Sequence, residues 1–215
     1  MAEPALPAAG LWKTLAASTA VLLAGLLLLW QATAGGNAFT TETLRRTEVE
    51  AAPRPVPALR VVDSLGRAST LPQLLDAGQP VWIVDFVYTR CQTVCSALGS
   101  VFQQLQAQIV ERGLQGRIGL LSVSFDPAAD TPQALRDYAN RMRMDPAVWR
   151  LVTLAEPQDR RALLTAFGIM VIPAPLGEFE HNAALHVVTG TGLLVHIVDY
   201  DAAKQVLALA LAESP

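Results

Sequence analysis

Two cysteines make up the whole thiol content of this 215-residue chain, as Cys91-Gln92-Thr93-Val94-Cys95. They follow directly on the apolar run Val81-Trp82-Ile83-Val84-Asp85-Phe86-Val87-Tyr88. A strand that runs into a helix start delivers both sulfurs to one edge of a sheet, because helical residues four apart share a face. Such a pair can grip one soft metal ion or close a disulfide. At a helix N-terminus the unpaired N–H groups and the dipole stabilise a thiolate and lower its pKa. A purely structural bridge fits less well, since so short a loop adds little stability when closed.

Two thiolates leave a soft-metal site incomplete, so a further ligand must come from elsewhere. The candidates are His181, His186 and His196, with Met142, Met144 and Met170 as weaker thioether donors. His181 is preferred. It follows the polar stretch Gly177-Glu178-Phe179-Glu180, expected to be a loop, and loops at a sheet edge can reach a helix start. His186 and His196 fall inside expected strands. Two sulfurs and one nitrogen suit Cu(I), and can also hold Cu(II) or Zn(II). Asp126, at the end of a strand, orients a ligand, attracts a basic partner, or simply makes the turn before Pro127. Asp85 sits within a central strand. If buried it must be paired or raised in pKa, which would let it tune the cysteines; at a strand end it would face solvent.

The elements that must position these residues are legible in periodicity. Leu59–Asp63 reads as a short strand, and residues 81–88 as a central strand covered on both faces. Val94, Leu98, Phe102, Leu105 and Ile109 form a helical stripe that ends near Gly113. Ile118–Phe125 is the next strand. Thr131-Pro132 reads as an N-cap with proline at the first helical position, opening a helix to about Met142. Trp149–Leu154 is a strand, and a helix from Pro157 ends at Gly168. Two apolar runs flank Thr189-Gly190-Thr191-Gly192 as a hairpin, and Ala202–Leu211 closes the chain as a helix. This order predicts an α/β, thioredoxin-like fold: a mixed central sheet flanked by helices. Thioredoxin-type exchange enzymes place two residues between their cysteines. The three here are also compatible with two thiolates on one ion.

The N-terminus is different in kind. Thr14–Trp30 is uncharged, with Lys13 before it, and through Ala34 it reaches the roughly 20 residues needed to span a bilayer. It reads as an uncleaved anchor, with a signal segment cleaved after Ala32-Thr33-Ala34 as the other reading. The expected organisation is a short segment at 1–13, an anchor or signal at 14–34, a linker at 35–57 and a domain at 58–215. The soluble part is then exported. The net charge is -3, with only 16 Lys and Arg and no basic stripe, which argues against nucleic-acid binding.

From about residue 55 to about residue 205 the chain resembles the SCO/SenC family of copper-binding cytochrome c oxidase assembly proteins. The residues that carry the resemblance are Asp85-Phe86-Val87-Tyr88-Thr89-Arg90-Cys91-Gln92-Thr93-Val94-Cys95, Ser122–Pro127 with Asp130-Thr131-Pro132, and Glu180-His181-Asn182 before an apolar strand and a glycine turn. The resemblance implies a thioredoxin-like domain tethered by one N-terminal transmembrane helix, with copper held by Cys91, Cys95 and His181. Asp126 matches a family acid that assists the site or partner contact. The chain departs from the family pattern at Gln92, Thr93 and Ser96, where proline, aspartate and proline are usual. It departs again at Glu180, Asn182 and His186.

The leading expectation is therefore a copper metallochaperone. Its domain would lie on the periplasmic side of the inner membrane. Its partners would be a copper-accepting subunit of cytochrome c oxidase or a related cuproprotein, and a copper donor or thiol reductant. The alternatives are a thiol–disulfide oxidoreductase, in which Cys91 attacks and Cys95 resolves, and a copper or redox sensor.

Overall fold

The computed structural model describes residues 8–33, 35–36, 40–90, 94–175 and 178–215, with only the backbone of residues 8, 9 and 94–97. The chain divides into two units, Met1–Glu48 and Val49–Pro215. The first is dominated by helix α1 (Ala8–Ala32). Its stretch Gly10–Ala32 is long and apolar enough to cross a membrane, and its leucines are exposed along its length. That surface is costly in water and suited to lipid, where a helix satisfies its own backbone. Helix α2 (Thr41–Ala51) lies where the sequence suggests only a linker. Thr40 Oγ1 accepts the Thr43 N–H at 3.1 Å, and Glu42 pairs with Arg45 and Arg46 one turn on.

The second unit is built on one eight-stranded sheet and one hairpin. Its elements are β1 (Arg54–Pro55), β2 (Arg60–Asp63), β3 (Ala68–Thr70), α3 (Leu71–Asp76), β4 (Val81–Val87), α4 (Val94–Glu111), β5 (Ile118–Ser124), α5 (Pro132–Arg141), β6 (Trp149–Leu154), α6 (Arg160–Phe167), β7 (Val171–Pro173), β8 (Phe179–His181), β9 (Ala184–Thr189), β10 (Leu193–Asp199) and α7 (Ala203–Glu213). The sheet order is β1-β10-β9-β4-β5-β6-β2-β3, and β7 pairs with β8 apart from it. Strands β4, β5 and β6 are parallel. The remaining pairs are antiparallel, so the sheet is mixed as expected. This is the thioredoxin-like fold.

Every residue of β4 is buried, which follows from helices on both faces. Trp82, Val84 and Phe86 pack on one side with α3, α5 and α6. Val81 and Ile83 pack on the other with Leu98, Phe102, Leu105 and Ile109 of α4 and with Val206 and Leu207 of α7. Alternation along the strand places Asp85 on the α4 side. Thr131 caps α5, accepting the Ala134 N–H, with Pro132 at its first position. Gly168 ends α6 at φ 63°, a left-handed cap open to glycine. Helix α3 carries a reciprocal cap between Thr70 and Gln73, a pattern present in the sequence but too short in its apolar run to stand out.

Candidate functional site

Cys91 lies outside the described residues. Cys95 is the second residue of α4, and only its backbone is described. The segment that enters this dithiol region is well anchored. Beyond β4, the Thr89 N–H donates to Asp130 Oδ2 at 3.0 Å and its hydroxyl donates to Asp130 Oδ1 at 2.6 Å. The Ser124 hydroxyl also donates to Asp130 Oδ2. Arg141, at the end of α5, donates to the Thr89 carbonyl at 2.9 Å. Asp130 is fully buried. Burial pushes its carboxyl upward, with nearby Asp126 adding to the rise and the bonds from Ser124 and Thr89 opposing it. Asp126 itself receives Arg90 at 2.8 Å and sits at the end of β5. Its carboxylate is thus paired, and its backbone carbonyl accepts the Ala129 and Asp130 N–H groups of the turn at 3.1 and 2.9 Å.

Asp130→Ala removes the acceptor of a buried amide and two hydroxyls. We expect a loss of about 3 kcal/mol in stability, read by denaturant unfolding.

His181 is the last residue of β8 and pairs with Val171 of β7. It is a strand residue, where the sequence suggests a loop. Pro173 and Pro175 obscure this hairpin in the sequence, although an isolated two-stranded edge tolerates proline. The imidazole packs edge-on against Phe125 at 5.3 Å and Tyr88 at 6.4 Å between ring centroids. Tyr88, at the end of β4, donates its hydroxyl to Glu178 Oε2 at 2.6 Å and accepts the Phe179 N–H at 3.1 Å. One phenol thus ties the strand leading to Cys91 to the strand carrying His181. The guanidinium of Arg160 covers Phe179 at 4.5 Å, closing the aromatic group. Asn182 fastens the hairpin to the end of α6, accepting the Met170 N–H at 2.7 Å and donating to the Gly168 carbonyl at 3.2 Å.

His181 Nδ1 lies 3.2 Å from the Asn182 carbonyl. Donation there would put the proton on Nδ1 and the lone pair on Nε2, one of the two tautomers through which a neutral imidazole can ligate a metal.

The other two histidines sit elsewhere. His186 is fully buried in β9, its nitrogens 3.4 Å from the Val84 carbonyl and 3.2 Å from the Phe167 carbonyl. Its ring is edge-on to Phe86 and Phe167. That is a core position. His196 lies between Glu50 and Glu213 at 3.4 and 3.2 Å. Met142 and Met144 are half-buried and Met170 is exposed. Among the described residues no group of three or more His, Cys, Asp or Glu is placed to hold a metal.

Asp85 is wholly buried, and neither carboxylate oxygen has a hydrogen-bond partner. Desolvation pushes its pKa up from 3.8 to about 7. The nearby Ser122 hydroxyl offsets part of that rise, although no hydrogen bond of good geometry joins the two. Arg141 and Arg160 make contacts here that the sequence does not single out, whereas Tyr88 and Asp130 stand in the stretches that carry the family resemblance. No local pattern marks Asp130 as a carboxylate that folds back onto Thr89.

The chain has similarity to known proteins at the levels of sequence and fold. It is 26% identical over 115 residues to the SCO1 protein homolog of Bacillus subtilis, a match covering 52% of this chain and 58% of that relative. The match thus spans somewhat more than half the length of the relative. A SCO1/SenC family lipoprotein from Bacillus anthracis superposes with a TM-score of 0.65 at 20% identity, over 75% of this chain and 96% of the other. Arabidopsis thaliana ScoI, solved with copper bound, superposes with a TM-score of 0.61 at 15% identity, over 75% and 98%. The SCO1/SenC family model matches residues 61–214, most of the chain, and the chain therefore belongs to the SCO1/SenC family.

Proposed function

We propose that this protein is a membrane-tethered copper carrier that serves the maturation of a dinuclear copper centre in cytochrome c oxidase. The observation that carries the reading is the contact of the His181 ring with Tyr88 and Phe125, at the ends of the strands that border the dithiol segment. Copper is the cargo, and Cys91, Cys95 and His181 are its ligands. Two thiolates and an imidazole make a soft, three-donor site suited to Cu(I). The start of α4 favours the thiolate form. Copper uptake releases the thiol protons.

Asp126, buried and held by Arg90, assists the site or partner contact. Asp85, on the α4 side of β4, disfavours further negative charge nearby once it ionises. The anchor at 14–34 holds the soluble domain on the periplasmic side of the inner membrane. There it receives copper from a donor, with thiols kept reduced, and passes it to an oxidase subunit or a related cuproprotein. Family membership and the copper bound to the Arabidopsis relative support this reading.

The test is an anaerobic Cu(I) titration of the reduced full chain in lipid nanodiscs against a chromophoric Cu(I) chelator, followed by X-ray absorption. One ion per chain with two sulfur and one imidazole scatterer is expected. An oxygen-rich shell, or no competition with the chelator, overturns the proposal.

A further inference from the structure

A cavity of about 810 Å³ lies between α3 and α5, over β6 and the turn joining β2 to β3. It shares no lining residue with the segment of Thr89, Asp126, Asp130 and His181. Its size is that of small-molecule sites, which run from about 300 to 1,000 Å³. Its charge runs against that of the whole chain: Arg67, Arg136 and Arg150 line it with a single carboxylate, Asp63, in a protein of net charge -3. Asp63 is already paired with Arg67 at 2.7 Å.

Among the described residues, Arg136 and Arg150 have no carboxylate partner. Arg136 donates to the Ser64 carbonyl and to Gln133 Oε1. Arg150 makes one long bond, 3.4 Å, to the Leu74 carbonyl, and its guanidinium lies 5.1 Å over the Trp82 ring. Both side chains are held in place and both keep N–H donors uncommitted, the state of a prepared carboxylate or phosphate receptor. Leu74, Leu151 and Met144 supply an apolar wall beside them.

We propose that this cavity binds a small amphiphilic anion, one carboxylate or phosphate group on an apolar body, with Arg136 and Arg150 as the anion clamp. A soluble organic acid and an acidic lipid share that chemistry.

The test uses the full chain in phosphatidylcholine nanodiscs, with Trp12 and Trp30 replaced by phenylalanine. Fluorescence then reports Trp82, beneath the Arg150 guanidinium, over the constant background of Trp149, whose indole packs on Phe102 of α4. Sodium octanoate, 1-octanol and inorganic phosphate are titrated separately. Octanoate is expected to give a saturable response, with the other two at least about tenfold weaker. Arg136→Gln and Arg150→Gln should each lower octanoate affinity about tenfold, the loss of one charge-assisted hydrogen bond. Should either variant fail to fold, Ala139→Phe, which fills the cavity and leaves both guanidiniums, must lower it as well. In phosphatidylglycerol nanodiscs, a lost octanoate response names lipid as the natural occupant, and an unchanged one names a soluble acid. Both support the site. Equal binding of octanoate and phosphate, equal binding of octanoate and octanol, or affinity indifferent to all three substitutions overturns it. Copper titration of the same variants should be unchanged, so this proposal and the copper reading fail separately.

Discussion

Replacing His181 by alanine is expected to weaken Cu(I) binding by at least about 100-fold, since changes to groups that merely support a metal ligand already cost 10–100-fold. Two thiolates remain, so binding does not vanish. It falls to that of a bare dithiol, and the nitrogen scatterer disappears from the X-ray absorption spectrum. The fold should tolerate the change. The ring is half-buried and contributes edge contacts to Phe125 and Tyr88 worth about 1 kcal/mol, and Tyr88 keeps its bonds to Glu178 and Phe179. Reduction of a small disulfide by Cys91 and Cys95 should persist, which separates copper carriage from plain dithiol exchange. His181→Met, with a soft thioether in place of the imidazole, should recover part of the affinity. Unaltered copper affinity in His181→Ala, with two sulfurs and a nitrogen still counted, would remove His181 from the site.

The second large effect concerns stability and pH. Asp85 has its pKa raised to about 7 by burial without a hydrogen-bond partner, against 3.8 when exposed. The folded protein therefore holds a proton that the unfolded chain has released between about pH 4 and pH 7. Stability is full below about pH 4, where both states are protonated. It declines as pH rises to about 7 and is level above it. The rise in pKa corresponds to about 4 kcal/mol over that window. Asp130, also raised, adds a decline of the same sign. Asp85→Asn cannot ionise. Its stability, from urea unfolding at pH 4 and pH 8, should fall by about 4 kcal/mol less than that of the wild type. At pH 8 the variant should be the more stable of the two. An identical pH profile in both proteins would mean that Asp85 is solvated in solution.

Much of the scaffold is written in local pattern. The stripe from Val94 to Ile109, the apolar run from Val81, the Thr131-Pro132 cap and the glycine turn at 190–192 each specify an element from neighbours a few residues apart. The structure has those elements in the expected order. What the local signal hides is short or proline-bearing. Helix α3 contains Pro72, β7 contains Pro173, and α2 precedes the prolines at 53, 55 and 57. Each is stabilised by caps, pairing or partners that periodicity does not register.

From the sequence alone came the paired cysteines at a strand-to-helix junction, the apolar anchor and the α/β order, because each depends on chemistry and spacing within one stretch of chain. Only the tertiary structure decided which histidine packs on Tyr88 and Phe125, just past the ends of β4 and β5. His181 meets Tyr88 because a phenol reaches from β4 to a hairpin about ninety residues later, whereas His186 is enclosed by β4 and α6 and His196 is held by two glutamates. It also decided that Asp85 is sealed without a partner, and that two arginines from different elements share one cavity. Such properties belong to contacts between distant segments, and they exist only once the entropy of bringing those segments together has been overcome by the burial of the core between them.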